Sequence, residues 1–199
     1  MRRLLIVFLL GAGIGFFHQA RAVEVTAQAP VRVDSVRAHF TQEKHLPILV
    51  RPILSQGVFI FQAPGSLRWE YLTPIHSVLL MHEGRIRKFI EANGKFVEER
   101  GLGVDSMQVV LQEITGWLDG HITDTPTFRA TVQDDGLIIL SPKEAVLAKI
   151  ISRIELRLAD QSGLMESVIL YEGADSLTKL IFSDAALNEK ISAAIFTHP

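Results

Sequence analysis

The feature that most constrains the fold is a series of short turn signals at hairpin spacing. The runs between them are rich in Val, Ile, Leu and Phe, a composition that favours strands. Two-residue turns of the Asn-Gly type join antiparallel neighbours. The turn signals are Pro64-Gly65, Glu83-Gly84, Asn93-Gly94, Asp135-Gly136, Ser162-Gly163 and Gly173. The pattern predicts about eleven strands in one large antiparallel sheet.

The strands differ in how their apolar residues alternate. Leu67, Trp69 and Tyr71 point to one face of a strand, because successive side chains point to opposite sides. The segments 58–61 and 78–81 are apolar on both faces. Such a sheet needs a cover on each side. So many strands curl towards a barrel, and a partly closed barrel can enclose space that its own side chains do not fill.

Three helices are predicted on the concave side of this sheet. Val33, Val36 and Phe40 form one stripe of a helix over residues 31–44, which Pro47 would end. A second helix over residues 105–118 has one apolar face, formed by Met107, Val110, Leu111, Ile114, Trp117 and Leu118. A shorter helix is expected at residues 143–148.

The N-terminus has the pattern of a secretory signal peptide over residues 1–22. A basic start and an apolar run precede the A-x-A site Ala20-Arg21-Ala22, so we predict cleavage after Ala22 and a periplasmic mature chain, 23–199, that forms one domain. A retained anchor is disfavoured, because the apolar run is short for a membrane span. The chain has no cysteine, so it cannot be acylated as a lipoprotein or form a disulfide.

Charge and motifs argue against several functions. Cleavage would remove three arginines and change the formal net charge from −2 to −5, and no basic run remains, so nucleic acid and anionic membrane surfaces are not expected partners. Ser176 and Lys179 match S-x-x-K, but the partner motifs are absent, as are G-x-S-x-G and H-E-x-x-H. Five of the seven histidines are scattered along the chain at spacings unsuited to metal binding; they are His39, His45, His76, His82 and His121. We predict no catalytic residues, no metal and no cofactor.

Several different short motifs occur in a fixed order along the mature chain. They are Phe40-Thr41-Gln42-Glu43-Lys44, Ser55-Gln56-Gly57, Pro64 followed by Leu67-Arg68-Trp69, Pro74, Glu83-Gly84, Leu140-Ser141-Pro142, Ile154-x-Leu156 and the terminal Phe196-Thr197-His198-Pro199. Together they resemble the LolA family, the periplasmic outer-membrane lipoprotein carriers. That family often has an arginine directly before the proline at Pro64, thought to latch its lid helices, whereas this chain has Ala63.

The resemblance implies an incomplete barrel of antiparallel strands, covered by helices, around an apolar cavity for lipoprotein acyl chains. It also implies a shuttle that takes lipidated cargo from an inner-membrane ABC transporter to an outer-membrane acceptor. Apolar side chains that would otherwise be ordinary core then become candidate ligand-binding residues, and the second helix becomes a lid. These residues are Phe59, Phe61, Leu67, Trp69, Tyr71, Val78, Leu80, Phe89, Met107, Val110, Leu111, Ile114 and Trp117.

Several functions remain open on this basis. The first hypothesis is a monomeric periplasmic carrier of lipoprotein acyl chains, without catalysis. The cargo could instead be a non-lipoprotein lipid, such as a fatty-acyl or polyketide glycolipid. A different class is a sensor or scaffold of the same fold, with a collapsed cavity and a surface that binds a protein partner. A lipid hydrolase is disfavoured, because no nucleophile motif is present.

Overall fold

The computed structural model describes residues 33–99, 106–118, 125–159, 164–173 and 175–199, and its main feature is one eleven-stranded antiparallel sheet. The predicted signal peptide and its cleavage site lie outside the described residues. The strands are β1 Ser35–His45, β2 Ile53–Gln62, β3 Ser66–Thr73, β4 Ser77–His82, β5 Arg85–Ala92, β6 Lys95–Glu99, β7 Phe128–Val132, β8 Ile138–Pro142, β9 Ile151–Leu158, β10 Met165–Glu172 and β11 Ser176–Leu187. The helices are α1 Ser106–Leu118, α2 Ala145–Ala148 and a 3-10 turn, Ala193–Phe196.

The sheet is open, and its order is β6-β5-β4-β3-β2-β1-β11-β10-β9-β8-β7. Two meanders meet where β1 pairs with β11, so β6 and β7 are the two edges. This confirms the predicted incomplete barrel of eleven antiparallel strands. In the chain, α1 lies between β6 at one edge of the sheet and β7 at the other.

The tight turns follow the sequence signals. At Glu83-Gly84 both central residues have positive φ angles, 50° and 73°, and at Asn93-Gly94 the angles are 54° and 72°. A type I′ hairpin turn requires this conformation at both positions, and its twist matches that of the flanking strands. These turns therefore make β4, β5 and β6 antiparallel neighbours in the sheet.

The predicted helix over residues 31–44 is wrong, because residues 35–45 form strand β1. Val36, Ala38 and Phe40 are buried, while Arg37 and His39 between them are exposed, which is the period of two of a strand. The spacing from Val36 to Phe40 fits a helix turn and two strand repeats equally well. The segment is a strand because it pairs with β2 on one side and with β11 on the other.

One side of the sheet, called here the inner face, carries a continuous apolar wall. Directly paired residues of antiparallel strands point to the same side, and the pairs Ala38–Phe59 and Phe59–Trp69 place three side chains in one row. Beyond β1 the wall continues through paired residues of the other meander, which are Leu180, Val168, Leu156 and Ile138. Buried side chains of α1 belong to the same cluster, so α1 covers this face.

The opposite side, called here the outer face, is covered in part by the C-terminal residues. Ile60 packs with Ile191 and Phe196. Val78, Leu80 and Phe89 form a third, separate cluster. The sheet is therefore apolar on both faces, and a different part of the chain covers each one.

The two predicted helices that remain are present, with different packing. The apolar face of α1 buries Val109, Leu111, Ile114, Trp117 and Leu118. The side chains of Met107 and Val110 lie outside the described residues. Helix α2 is a single turn without buried residues. Within the described parts of the chain, no helix has the length and apolar character needed to cross a membrane.

Candidate functional site

The inner face is centred on an aromatic cluster around Trp69. The Trp69 ring centroid lies 4.6 Å from that of Phe40, 5.5 Å from Phe59 and 6.1 Å from Phe182. Tyr71 completes the cluster, with its ring edge-on to Phe40 at 5.2 Å. Offset and edge-to-face pairs of this kind are the favoured geometry of aromatic rings. The cluster arises because β1, β2, β3 and β11 are adjacent and each brings an aromatic residue to the inner face.

Most of the predicted ligand-binding residues meet in this part of the core. The residues that the structure brings together in one cluster are Phe59, Phe61, Leu67, Trp69, Leu111, Ile114 and Trp117, with Tyr71 packed against them. They come from β2, β3 and α1, so they form the boundary between sheet and helix.

Val78, Leu80 and Phe89 are placed differently, on the outer face. The β3–β4 register pairs Trp69 with Leu79, so Leu79 is the β4 residue beside Trp69 on the inner face. Val78 and Leu80 instead face outward in a cluster of their own with Phe89. The predicted residues are therefore divided between the two sides of the sheet and cannot line one cavity.

Other inner-face residues were not among those identified from the sequence. The far meander contributes buried apolar side chains at Phe128, Leu140, Ile154, Leu156, Val168, Leu170 and Leu180. Phe40 was assigned to a helix and so was not considered as a wall residue. The alternation of Ile154, Leu156 and Leu158 was the signal that could have extended the site across β9.

A small cavity lies between sheet and helix. Its volume is about 20 Å³, and it is lined by Val36, Ala38, Phe59, Leu118, Leu164, Met165, Phe182 and Ala185. Buried side chains of α1, among them Leu118, pack against the apolar wall beside it, and this arrangement is called here the closed state. A hydrocarbon chain can enter at this position only if side chains of the core move apart.

Two polar atoms in this apolar core have no hydrogen-bond partner within the described residues. They are the indole nitrogens Nε1 of Trp69 and Trp117. Trp69 is 1% exposed and Trp117 is 3% exposed, so bulk water does not solvate these donors. A buried donor without a partner costs about 1–3 kcal/mol. By contrast, the Tyr71 hydroxyl donates to Oε1 of Gln42 at 2.8 Å.

On the outer face, Arg68 fastens the C-terminal residues to the sheet. It is 9% exposed. Its Nη1 donates to the backbone carbonyls of Ile195 at 3.1 Å and His198 at 2.8 Å, and its Nε donates to Oε2 of Glu70 at 2.8 Å. Arg68 therefore latches the C-terminus and lies on the other side of the sheet from α1. A broad groove of about 540 Å³ beside it is lined by charged residues, among them Arg37 and Glu70, and by apolar residues, among them Val58 and Ile195.

We expect Arg68→Lys to lower the free energy of unfolding by about 2 kcal/mol, because a single ammonium cannot reproduce the guanidinium's fork of donors. Urea denaturation measures this loss, and hydrogen exchange should accelerate at residues 191–199. Arg37→Lys is the matched control, since Arg37 lines the same groove but its side chain makes no hydrogen bond within the described residues. Equal stability of the two variants would contradict the latch.

A charged network continues from Arg68 through Glu70 to His76. Nε2 of His76 lies 2.9 Å from Oε1 of Glu70, and Nδ1 lies 2.6 Å from Oε2 of Glu91. An ionised carboxylate only accepts hydrogen bonds, so two such partners favour the imidazolium form, in which both ring nitrogens donate. The hydrogen bond to Glu70 is the main cause of a His76 pKa above the usual 6.5. Burial raises the pKa of Glu70, but hydrogen bonds from Arg68 and His76 outweigh it and hold the pKa below 4.5.

The network predicts a specific pH dependence. A raised histidine pKa stabilises the fold at low pH, and this contribution is lost as pH rises through the folded pKa of His76. Because the pKa of Glu70 is lowered, its carboxylate stabilises the fold at pH values above its unfolded pKa, and this contribution is lost as pH falls through the folded pKa. Both are therefore present between pH 4.5 and 6.5. We expect His76→Gln to lower the free energy of unfolding by a few tenths of a kcal/mol at pH 6. At pH values well above the folded pKa of His76, the loss measured by urea unfolding should be small. A loss independent of pH would contradict this.

Comparison with known proteins places the chain in a family. Residues 31–199 match the family described as "Outer membrane lipoprotein carrier protein LolA". No curated protein matches the chain. Among solved structures, a DUF1329 family protein from Desulfovibrio piger is 11% identical, with a TM-score of 0.46, covering 82% of this chain and 90% of that one.

Two further solved structures are similar to the chain. A LolA superfamily protein from Nitrosomonas europaea is 12% identical, with a TM-score of 0.43, covering 84% of this chain and 91% of that one. The MucA/MucB complex from Pseudomonas aeruginosa is matched at 14% identity and a TM-score of 0.38, covering 82% of this chain and 55% of that one. Since the family match spans most of the sequence, the chain belongs to the LolA family of outer-membrane lipoprotein carrier proteins.

Proposed function

We propose that this protein is a periplasmic, monomeric carrier that binds acyl chains of lipoproteins, or of a related lipid, between the inner face and α1. It would receive this cargo from an inner-membrane ABC transporter and pass it to an outer-membrane acceptor, without catalysing a reaction. One observation carries the proposal: a continuous apolar wall, from β3 to β8, is covered by a short helix in the connection between the two sheet edges. The cleaved signal peptide remains part of this proposal.

The energies of binding and closure are of similar size. A sixteen-carbon chain moved from water into an apolar site gains about 10 kcal/mol. Transferring the five buried side chains of α1 to water costs about 8–15 kcal/mol, at roughly 1.5–3 kcal/mol each. The helix and the hydrocarbon chain are therefore near-equal competitors for the same wall. A carrier needs this balance, because it must both take up its cargo and release it.

Purification of the protein from the periplasm under mild conditions, followed by solvent extraction and mass spectrometry, tests the proposal. We expect a copurified acylated lipid or lipopeptide, together with displaceable binding of a fluorescent fatty acid. Trp69 emission should shift on addition of a long-chain acyl ligand, because its ring lies in the wall. Lipid-free protein without displaceable binding would overturn the proposal, and time-dependent cleavage of a lipid would indicate an enzyme.

Competition between helix and ligand makes a counter-intuitive prediction for Leu111→Ala. Leu111 is a buried contact of α1, so truncating it should destabilise the protein by about 3 kcal/mol. The same change weakens the closed state against which the ligand competes, so acyl affinity should rise by about tenfold. Titration of the fluorescent fatty acid measures this. Val146→Ala, at an exposed position of α2, should change neither quantity, and weaker binding by Leu111→Ala would contradict the competition.

A second candidate is a scaffold of the same fold that binds a protein partner and no lipid. The packing of α1 favours it, because its buried side chains belong to the same cluster as the wall, as they would in a permanently closed core. The two candidates differ in what happens to α1. Lipid-free protein in which saturating fatty acid leaves hydrogen exchange of α1 unchanged would support the scaffold.

A further inference from the structure

The two unpaired indole donors of the core lie on opposite sides of the proposed binding site. Trp69 belongs to strand β3 and is surrounded by the rings of Phe40, Phe59 and Phe182. Trp117 belongs to α1, near its C-terminal end. Neither Nε1 has a hydrogen-bond partner within the described residues. Native proteins pair nearly all their buried donors, so two exceptions in one cluster need an explanation.

The surroundings define which acceptor could pair with them. Both tryptophans belong to one cluster of apolar residues. Among the described residues, the one buried basic side chain is that of Arg68, which lies on the outer face. A charged head group would lose its hydration there without gaining a counter-ion, which excludes a carboxylate or a phosphate. A hydrocarbon chain fits the wall but offers no acceptor. A neutral carbonyl oxygen attached to a long alkyl chain satisfies both the wall and the donors.

We propose that Trp69 and Trp117 donate hydrogen bonds to the carbonyl oxygens of ester- or amide-linked acyl chains, once the chain has displaced α1 from the wall. This inference rests on the proposed function and deepens it. It assigns the preferred cargo to acyl esters and amides, whose neutral carbonyl enters the core, whereas a fatty acid binds through its alkyl chain with its carboxylate outside the core. It also explains why the closed state retains two indoles where phenyl rings would fill an apolar core without an unpaired donor.

The test replaces each tryptophan in turn by benzothienylalanine, in which sulfur takes the place of the indole N–H and the ring shape is kept. Affinities are measured by displacement of a fluorescent probe, with methyl palmitate and an alkane of equal heavy-atom number as competing ligands. We expect the native protein to prefer the ester by about tenfold, as one or two neutral hydrogen bonds allow. Each replacement should reduce ester affinity about three- to tenfold and leave alkane affinity unchanged.

The possible results distinguish a failure of this inference from a failure of the proposed carrier function. Equal affinity of the native protein for ester and alkane, or an ester preference that survives both replacements, overturns the inference and leaves the carrier function standing. In that case the indoles pair with ordered water or with nothing. If neither ligand binds, the proposed function and the inference fail together. Urea unfolding of both variants provides the control, since the isosteric rings should leave the closed state at least as stable.

Discussion

A short covalent bridge between α1 and the sheet is expected to reduce acyl-chain affinity by at least about tenfold. Leu118 of α1 and Ala185 of β11 line the same small cavity, so cysteines at these two positions lie within reach of a short bis-thiol reagent. The chain has no cysteine of its own, so only these two thiols react. The reason is spatial: the proposed function has the chain bind the wall area that Trp117 and Leu118 cover, so holding α1 in place keeps that area occupied. Displacement of a fluorescent fatty acid measures the loss.

Two controls make this experiment specific to the movement of α1. Each single-cysteine variant, treated with the same reagent, should bind as the native protein does. A reagent with an internal disulfide should allow binding to return after reduction. If the doubly substituted, bridged protein binds with native affinity, the chain enters by another route and α1 is only part of the core.

Gly57→Ala is expected to lower the free energy of unfolding by about 3 kcal/mol or more, a large fraction of a domain's stability. A Cβ atom added to Gly57 would lie 1.9 Å from the backbone carbonyl oxygen of Glu70 and 2.6 Å from the ring of Phe40. The carbonyl belongs to the neighbouring strand and cannot rotate away, so β2 and β3 would have to separate. The Phe40 ring would also be pressed against Trp69, 4.6 Å away between centroids.

Gly65→Ala is the matched control for this prediction. An added Cβ at Gly65, in the β2–β3 turn, meets no atom within 4 Å. Urea denaturation should therefore place Gly65→Ala within about 0.5 kcal/mol of the native protein. A loss at Gly57 no greater than that at Gly65 would show that β2 and β3 adjust freely, contrary to the packing described.

The sequence predicted some parts of this fold well, because only one periodicity fitted them. The stripe from Leu111 to Leu118 fits a helix and no strand, and α1 was found there. The Glu83-Gly84 and Asn93-Gly94 signals admit few conformations other than a hairpin turn. The number of strands and the open antiparallel architecture followed from these turns and from the family resemblance.

Other parts depended on information that local patterns do not contain. Val36 to Phe40 fits both periods, and pairing with two distant strands decides between them. In β4 every position from Val78 to Met81 is apolar, so the sequence does not say which residues face α1, and the β3 register alone assigns Leu79 inward. The role of Arg68 depends on contacts with residues 127 and 130 positions away, which no local pattern predicts.

Among the described strands, β6 and β7 each pair with a single neighbour, and this has a mechanical consequence. A closed barrel has a radius dictated by its strand number and stagger, so it cannot widen without breaking ladder bonds. This sheet can unroll or tighten by small changes in twist between neighbours while every rung of its ladder stays intact. If the protein carries acyl chains as proposed, the sheet can therefore widen to accommodate cargo of different size.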